Sequence, residues 1–167
     1  MSHSDALGPT SSQMAARPWL LAAAWLSIAA SLLHIACIFG GPDWYRFFGA
    51  GEVLARAAER GSPVPAIMTG VIATILAGWA AYALSAIGSV VRLPLIRTAL
   101  IAIAVVLLAR SALGFVPSAW EPENRTFAFM FWTSFVCFIM GLCFAVGTWR
   151  AWPLLSLKPS LSLEKVN

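Results

Sequence analysis

Four long apolar segments dominate the pattern of hydrophobic and polar positions along the chain. They cover residues 17–39, 65–90, 94–116 and 127–149. The first has 23 residues, which as a helix would reach about 34 Å and cross a hydrocarbon core of about 30 Å. Helices of this length in a soluble core carry charges along one face. These segments have no such face, and the notable polar groups inside them are His34 and Arg110. The pattern predicts an all-α fold, a bundle of four transmembrane helices.

The two ends of the chain differ from the apolar segments. Residues 1–16 are polar, rich in Ser and Ala, and without periodicity, which predicts a flexible tail. A second tail is predicted over residues 153–167. The segments between them, residues 17–152, form one transmembrane domain. An even number of spans places both tails on the same side of the membrane.

The connection between the first two spans is more than a plain loop. Residues 44–60 read WYRFFGAGEVLARAAER, and their apolar positions can share one face of a helix. The pattern predicts a short amphipathic helix on the outer surface. Chain breakers flank it, with Gly-Gly-Pro at residues 40–42 and Gly-Ser-Pro at residues 61–63. A loop with a few helical turns is the alternative.

Composition supports a membrane environment. Hydrophobic residues make up 60% of the chain and charged residues 11%, compared with about 25% charged residues in a soluble domain. The net charge of +4 would suggest a nucleic-acid partner in a polar chain, but here the basic residues cluster at helix ends. The predicted partner is therefore a lipid bilayer and not a nucleic acid. The three cysteines lie in apolar runs without metal-ligand spacing, so neither a metal nor another cofactor is expected.

The distribution of basic residues predicts the orientation. Six Lys and Arg residues lie on the side of the two tails: Arg17, Arg92, Arg97, Arg150, Lys158 and Lys165. Four basic residues lie on the other side: Arg46, Arg56, Arg60 and Arg125. Five acidic residues lie on that side as well. Because basic residues are enriched in cytoplasmic loops, both termini of this multi-pass membrane protein are predicted to be cytoplasmic.

Small residues in the second span predict close helix packing. Ala66, Gly70, Thr74 and Gly78 recur every four residues, a spacing that lets helix backbones approach in lipid. The pattern predicts that this span is central in the bundle. A shorter stripe in the fourth span contains Cys137, Gly141 and Ala145. Association with a second copy, or with another membrane protein, is the alternative use of such stripes.

His34 and Arg110 identify the candidate functional site. His34 lies six residues before Gly40 and Arg110 six residues before Val116. Both are thus about 9 Å below the outer interface, and ionisable groups at such depth are costly. Glu52 and Asp43 are the nearest predicted counter-ions. The predicted outward-facing pocket has seven ligand-binding residues: His34, Asp43, Glu52, Thr69, Arg110, Trp132 and Ser134.

These residue types suit the binding of a small amphiphilic or anionic ligand. An arginine holds a carboxylate or phosphate by paired hydrogen bonds, and a histidine changes its charge near neutral pH. Two structural alternatives stay open. Arg110 can extend its guanidinium to the outer headgroups, and His34 can be a neutral imidazole bonded to a backbone carbonyl.

The external segment carries a resemblance to a known family. With its four spans and short loops, the chain resembles small DoxX-like bacterial inner-membrane proteins through the sequence Trp-Tyr-Arg-Phe-Phe-Gly-Ala-Gly-Glu at residues 44–52. This resemblance implies a bacterial cytoplasmic membrane and little about activity. The order of Asp43, Tyr45, Glu52 and Pro63 is also similar to the first-loop pattern of the sterol isomerase-like four-span fold.

Three functions follow as hypotheses. The first is binding or carriage of a small amphiphilic or anionic ligand in the outward pocket. The second is a membrane enzyme, of isomerase or redox type, that acts on a lipid or quinone with His34 and Glu52 as acid and base. The third is a structural or accessory subunit of a membrane complex, in which His34 and Arg110 only fix helix packing.

Overall fold

The computed structural model describes residues 11–114, 116 and 127–155. In this part of the chain every regular element is a helix, as the sequence predicts. The five helices are α1 (Ser11–Phe47), α2 (Glu52–Glu59), α3 (Val64–Ala86), α4 (Ile96–Leu113) and α5 (Phe127–Leu155). The predicted tail segments 1–10 and 156–167 and most of the connection between α4 and α5 lie outside the described residues.

Four of these helices are long and apolar enough to cross a membrane: α1, α3, α4 and α5. They correspond to the four predicted spans, and the chain is a polytopic membrane protein. The observed bounds differ most from the predicted ones in α1 and at the end of α5. Helix α1 begins at Ser11, inside the predicted tail, and α5 continues to Leu155, six residues past the predicted end of its span at residue 149. These extra turns carry the helices beyond the apolar segments at the end of the bundle where the termini lie.

The bundle is antiparallel, and α1 and α5 form its centre. Helix α1 packs extensively against α3 and α5, α5 packs extensively against α4, and α3 and α4 touch only sparingly. The cyclic order is therefore α1, α3, α4, α5, with α1 and α4 on a diagonal. The shared core contains Leu20, Leu100 and Phe144, each fully buried.

Two glycines of α5 lie in close contact with neighbouring helices, whereas Gly78 of α3 does not. A Cβ atom at Gly141 would lie 2.9 Å from Leu108 of α4, and one at Gly147 would lie 2.8 Å from Leu20 of α1. A Cβ atom at Gly78 of α3 would meet no neighbouring atom within 4 Å. The prediction that the second span is central was wrong, because α3 packs mainly on α1 and touches α4 and α5 only sparingly. Within its predicted stripe, Thr74 is exposed.

Helix α1 changes direction near its outer end. Gly41 has a φ of 67° and a ψ of −151°, a conformation that only glycine adopts without strain, and Pro42 follows it without an N–H to donate. The break lets the indole of Trp44 fold back onto Gly40, where even a Cβ atom would overlap the ring. The predicted single amphipathic helix is thus divided: residues 42–47 continue α1, and α2 begins at Glu52.

Candidate functional site

An ion network joins α2 to the end of α1. The Arg46 guanidinium donates hydrogen bonds to Glu52 at 2.9 and 3.1 Å and to Glu59 at 2.6 Å, and it lies 3.5 Å from Asp43. Arg56 donates a further hydrogen bond to Glu52 at 2.9 Å. The hydrogen bonds from Arg46 and then Arg56 lower the pKa of Glu52 to about 2. One arginine and its carboxylates therefore fix the position of α2.

A small apolar cluster lies beside this network. Cys37, Tyr45 and Ala55 are buried together, with Phe48 and Ala58 packed around them. The Tyr45 hydroxyl is buried, and it has no hydrogen-bond partner among the described residues. Val53, by contrast, is 73% exposed. The buried contact of α2 is made by alanine, because the helix lies close to α1.

The structure gives Glu52 different partners from the predicted one. Within the described residues its hydrogen bonds come from Arg46 and Arg56 and not from Arg110. Asp43 also pairs with Arg46, and its side chain is 93% exposed. The two predicted counter-ions of the outward pocket therefore belong to the surface network.

His34 and Arg110 occupy diagonally placed helices. His34 Nδ1 donates a 2.7 Å hydrogen bond to the Ala30 carbonyl one turn earlier in α1, which is the structural alternative stated above. Arg110 is half-buried in the last turn of α4, where a cation suits the negative end of the helix dipole. Its carbonyl accepts a hydrogen bond from the Gly114 N–H.

The remaining predicted pocket residues point in different directions. Ser134 is fully buried against Gly114, Thr69 is buried on α3, and Trp132 is 61% exposed on the lipid-facing side. The Trp132 ring packs edge-on against Phe131 and Phe135. An outward-facing ligand pocket built from all seven residues stays a prediction.

The opposite end of the bundle is basic. We call this end, which carries Arg17, Arg92, Arg97 and Arg150, the basic face; the end that carries α2 is the α2 face. All three acidic residues of the described part of the chain lie at the α2 face, together with Arg46, Arg56 and Arg60. With Arg110 at the same end of α4, the α2 face therefore has four described arginines and three carboxylates, whereas the basic face has four arginines and no described carboxylate.

Aromatic rings and backbone carbonyls hold two of these arginines in place. Arg97 stacks on Trp152, with its Cζ 4.4 Å from the ring centroid, and donates to the Trp152 carbonyl at 3.2 Å. Arg150 lies 5.7 Å from the Trp19 ring centroid. Such contacts leave the positive charge of the guanidinium in place, because neither partner is an anion.

A cavity of about 360 Å³ opens between the helix ends at the basic face. All four transmembrane helices and the connection between α3 and α4 contribute to its wall. Arg17 and Arg92 supply its charged groups, and both are exposed. Leu20, Ile96 and Leu155 are among its apolar groups, and all three are buried in the main core. The cavity thus combines an apolar interior with two cationic groups that solvent can reach.

Ser85 organises the connection that forms one wall of the cavity. Its hydroxyl donates to the Val91 carbonyl at 3.0 Å and accepts from the Leu93 N–H at 2.9 Å. Gly88 turns the chain with a φ of 75°, and Arg92 donates to the Leu155 carbonyl at the end of α5 at 3.4 Å. These bonds place Arg92 across from the beginning of α1, where Arg17 lies.

The sequence analysis used the arginines of this cavity only to assign orientation. A signal for the cavity was nevertheless present, because the same count showed basic residues without nearby acidic ones. What the sequence did not show is that α1 and α5 extend past their apolar segments and enclose a space with the α3–α4 connection. That enclosure depends on helix ends, which hydropathy defines poorly.

No protein-family model, curated protein or solved structure matches this chain. The resemblance of residues 44–52 to DoxX-like proteins therefore stays a prediction.

Proposed function

We propose that this membrane protein binds a small amphiphilic ligand in the cavity at its basic face. The observation that supports the proposal is the cavity itself, whose volume of about 360 Å³ falls within the range of small-molecule sites. Its wall joins apolar side chains to two arginines. An amphiphile satisfies both, since its apolar part can contact Met14, Ile87 and Val90 while its polar part reaches the arginines.

We also propose that the basic face is cytoplasmic, in a bacterial inner membrane. Four described arginines and no described carboxylate lie at this face, whereas three carboxylates offset the arginines of the other face. Basic residues near short connections are retained on the cytoplasmic side, and the α3–α4 connection is short. The ligand would then enter from the cytoplasm or from the inner leaflet.

Binding of a ligand at the cavity accounts for more of the structure than the two alternative functions. An acid–base pair of His34 and Glu52 is disfavoured by their hydrogen bonds, since His34 donates to Ala30 and Glu52 accepts from Arg46 and Arg56. A purely structural subunit would not need a cavity with cationic walls.

A cavity-filling substitution tests the proposal. Ala86 lines the cavity and is half-buried, whereas Ala77 lies on the same helix and is exposed to lipid. Native mass spectrometry of protein extracted in mild detergent should detect a bound amphiphile in the wild type and in Ala77→Phe, and lose it in Ala86→Phe. Thermal unfolding of both variants checks that the fold is kept. Equal retention in the two folded variants would place the ligand elsewhere.

A further inference from the structure

The chemistry of the cavity narrows the class of ligand. We infer that the cavity holds the headgroup of an anionic phospholipid, with the phosphate between Arg17 and Arg92. This inference rests on the proposed function and adds the identity of the ligand class and the residues that select it.

The charge of the cavity favours an anion. Arg17 has no hydrogen-bond or ion-pair partner among the described residues, and Arg92 donates only to the neutral carbonyl of Leu155. A guanidinium binds a phosphate through paired, charge-assisted hydrogen bonds. A backbone carbonyl at 3.4 Å is a weaker partner, so a phosphate can replace it without a large loss.

The depth of the cavity selects a lipid over a soluble anion. Arg17 is the first residue of the first apolar segment, and Trp19 and Trp152 lie near the same level, where aromatic rings mark the membrane–water interface. The buried Leu20 and Ile96 lie on the apolar side of that level. A phospholipid has its phosphate at the interface and its chains below it, which is the order of groups in the cavity wall.

The basic face also offers matched control positions. Arg150 lies at the same face but does not line the cavity, and Arg60 lies at the α2 face. Each carries the same charge as Arg17 and Arg92. If the lipid is held only by general electrostatic attraction, Arg150→Gln should weaken lipid binding as much as Arg17→Gln does. If the cavity is a specific site, only Arg17→Gln should weaken it.

The experiment compares lipid retention by native mass spectrometry. The wild type and the variants Arg17→Gln, Arg92→Gln, Arg150→Gln and Arg60→Gln are titrated in detergent with phosphatidylglycerol and with phosphatidylcholine of the same chains. We expect the wild type to prefer phosphatidylglycerol. Arg17→Gln and Arg92→Gln should each lower that preference about fivefold, since one basic group at an anionic surface is worth about 1 kcal/mol. Arg150→Gln and Arg60→Gln should keep it, and thermal unfolding confirms that each variant is folded.

Three results would overturn the inference. Equal loss in Arg150→Gln would make the effect a general surface charge. Displacement of the lipid by inorganic phosphate at similar concentration would make the cavity a site for a soluble anion. Equal binding of both lipids by all proteins would leave an amphiphile site without anionic selectivity, so the proposed function would stand and the lipid class would be wrong. If neither lipid is retained and no other amphiphile copurifies, both proposals fail.

Discussion

Gly147 of α5 lies directly against Leu20 of α1. A Cβ atom at Gly147 would come within 2.8 Å of the Leu20 Cγ and Cδ2 atoms and within 3.4 Å of its backbone nitrogen. Leu20 is fully buried, so it cannot move aside without disturbing the core. Close contact of the two central helices therefore depends on the missing side chain at this position.

Substitution of Gly147 should destabilise the bundle, whereas substitution of Gly78 should not. Overpacking a well-filled core costs about 1–3 kcal/mol, and Gly147→Leu would add four carbon atoms at the contact. Gly78→Leu adds the same atoms where no neighbour lies within 4 Å. Thermal unfolding in detergent should show a clear loss of stability for Gly147→Leu only. Similar losses for both would mean that α3 is the packed centre after all.

Two buried serines of α1 should respond differently to the same substitution. Ser31 donates a 2.8 Å hydrogen bond to the Ala73 carbonyl of α3, whereas the buried Ser27 hydroxyl has no partner among the described residues. Ser31→Ala should cost about 0.6 kcal/mol, the average of such bonds between transmembrane helices. Ser27→Ala should be neutral or slightly stabilising, because it removes an unsatisfied polar group. Unfolding titrations of the two variants measure the difference, and a larger loss for Ser27→Ala would contradict it.

The sequence was sufficient for the spans and insufficient for their arrangement. Hydropathy reports transfer of a segment into lipid, so it located α1, α3, α4 and α5 within a few residues. It does not report which face of a helix meets which neighbour. Small residues occur on both the packed and the lipid-facing sides of helices. The sequence therefore does not distinguish Gly78, which has no close neighbour, from Gly147, which packs against α1.

The counter-ions of the predicted pocket show the same limit. The position along each helix predicts that His34 and Arg110 lie at the same depth in the membrane. It does not predict the helix face on which each side chain lies. The partner of Glu52 was set by the break at Gly41, which turns residues 42–47 so that Arg46 reaches Glu52 and Glu59. A glycine before a proline signals a break in the helix, but not the angle that results.

Glu52 should titrate far below an ordinary glutamate. Its pKa is about 2 in the folded protein, compared with 4.5 for the free side chain. Because the folded value is the lower one, the Arg46 pair adds stability above about pH 4.5, and this contribution disappears as the pH falls through about 2. A carbon-13 NMR titration of the Glu52 carboxylate in detergent should give a midpoint near 2. Arg46→Gln should raise this midpoint, since it removes the main hydrogen-bond donor, and Arg60→Gln should leave it unchanged. A midpoint near 4.5 in the wild type would show that the network is not formed.

The same network should protect Cys37 from reagents. Cys37 is buried with Tyr45 and Ala55 beside α2, so release of α2 should expose its thiol. With Cys137 and Cys143 replaced by alanine, a water-soluble maleimide should label Cys37 faster in Arg46→Gln than in the parent protein. Arg60→Gln is the matched control and should react at the parent rate. Equal rates in all three would indicate that the ion network does not hold α2 in place.

The orientation of the bundle can be tested with reporter fusions. A reporter that is active only in the cytoplasm should work when fused to the C-terminus, and one that folds only outside should work after Ser62. The expectation follows from the excess of arginines over carboxylates at the basic face. An external C-terminus would place the cavity on the outer side and remove the inner leaflet as the source of its ligand.

Photolabelling tests the position of the ligand site most directly. An anionic phospholipid with a diazirine near its headgroup would be incorporated into membranes containing the wild-type protein, irradiated, and its adducts mapped by peptide mass spectrometry. We expect adducts in residues 14–20 and 85–96, which contain most of the residues that line the cavity, and we expect excess unlabelled lipid to suppress them. Adducts concentrated around His34 and Arg110 instead, or spread evenly over all lipid-facing residues, would contradict a ligand site at the basic face.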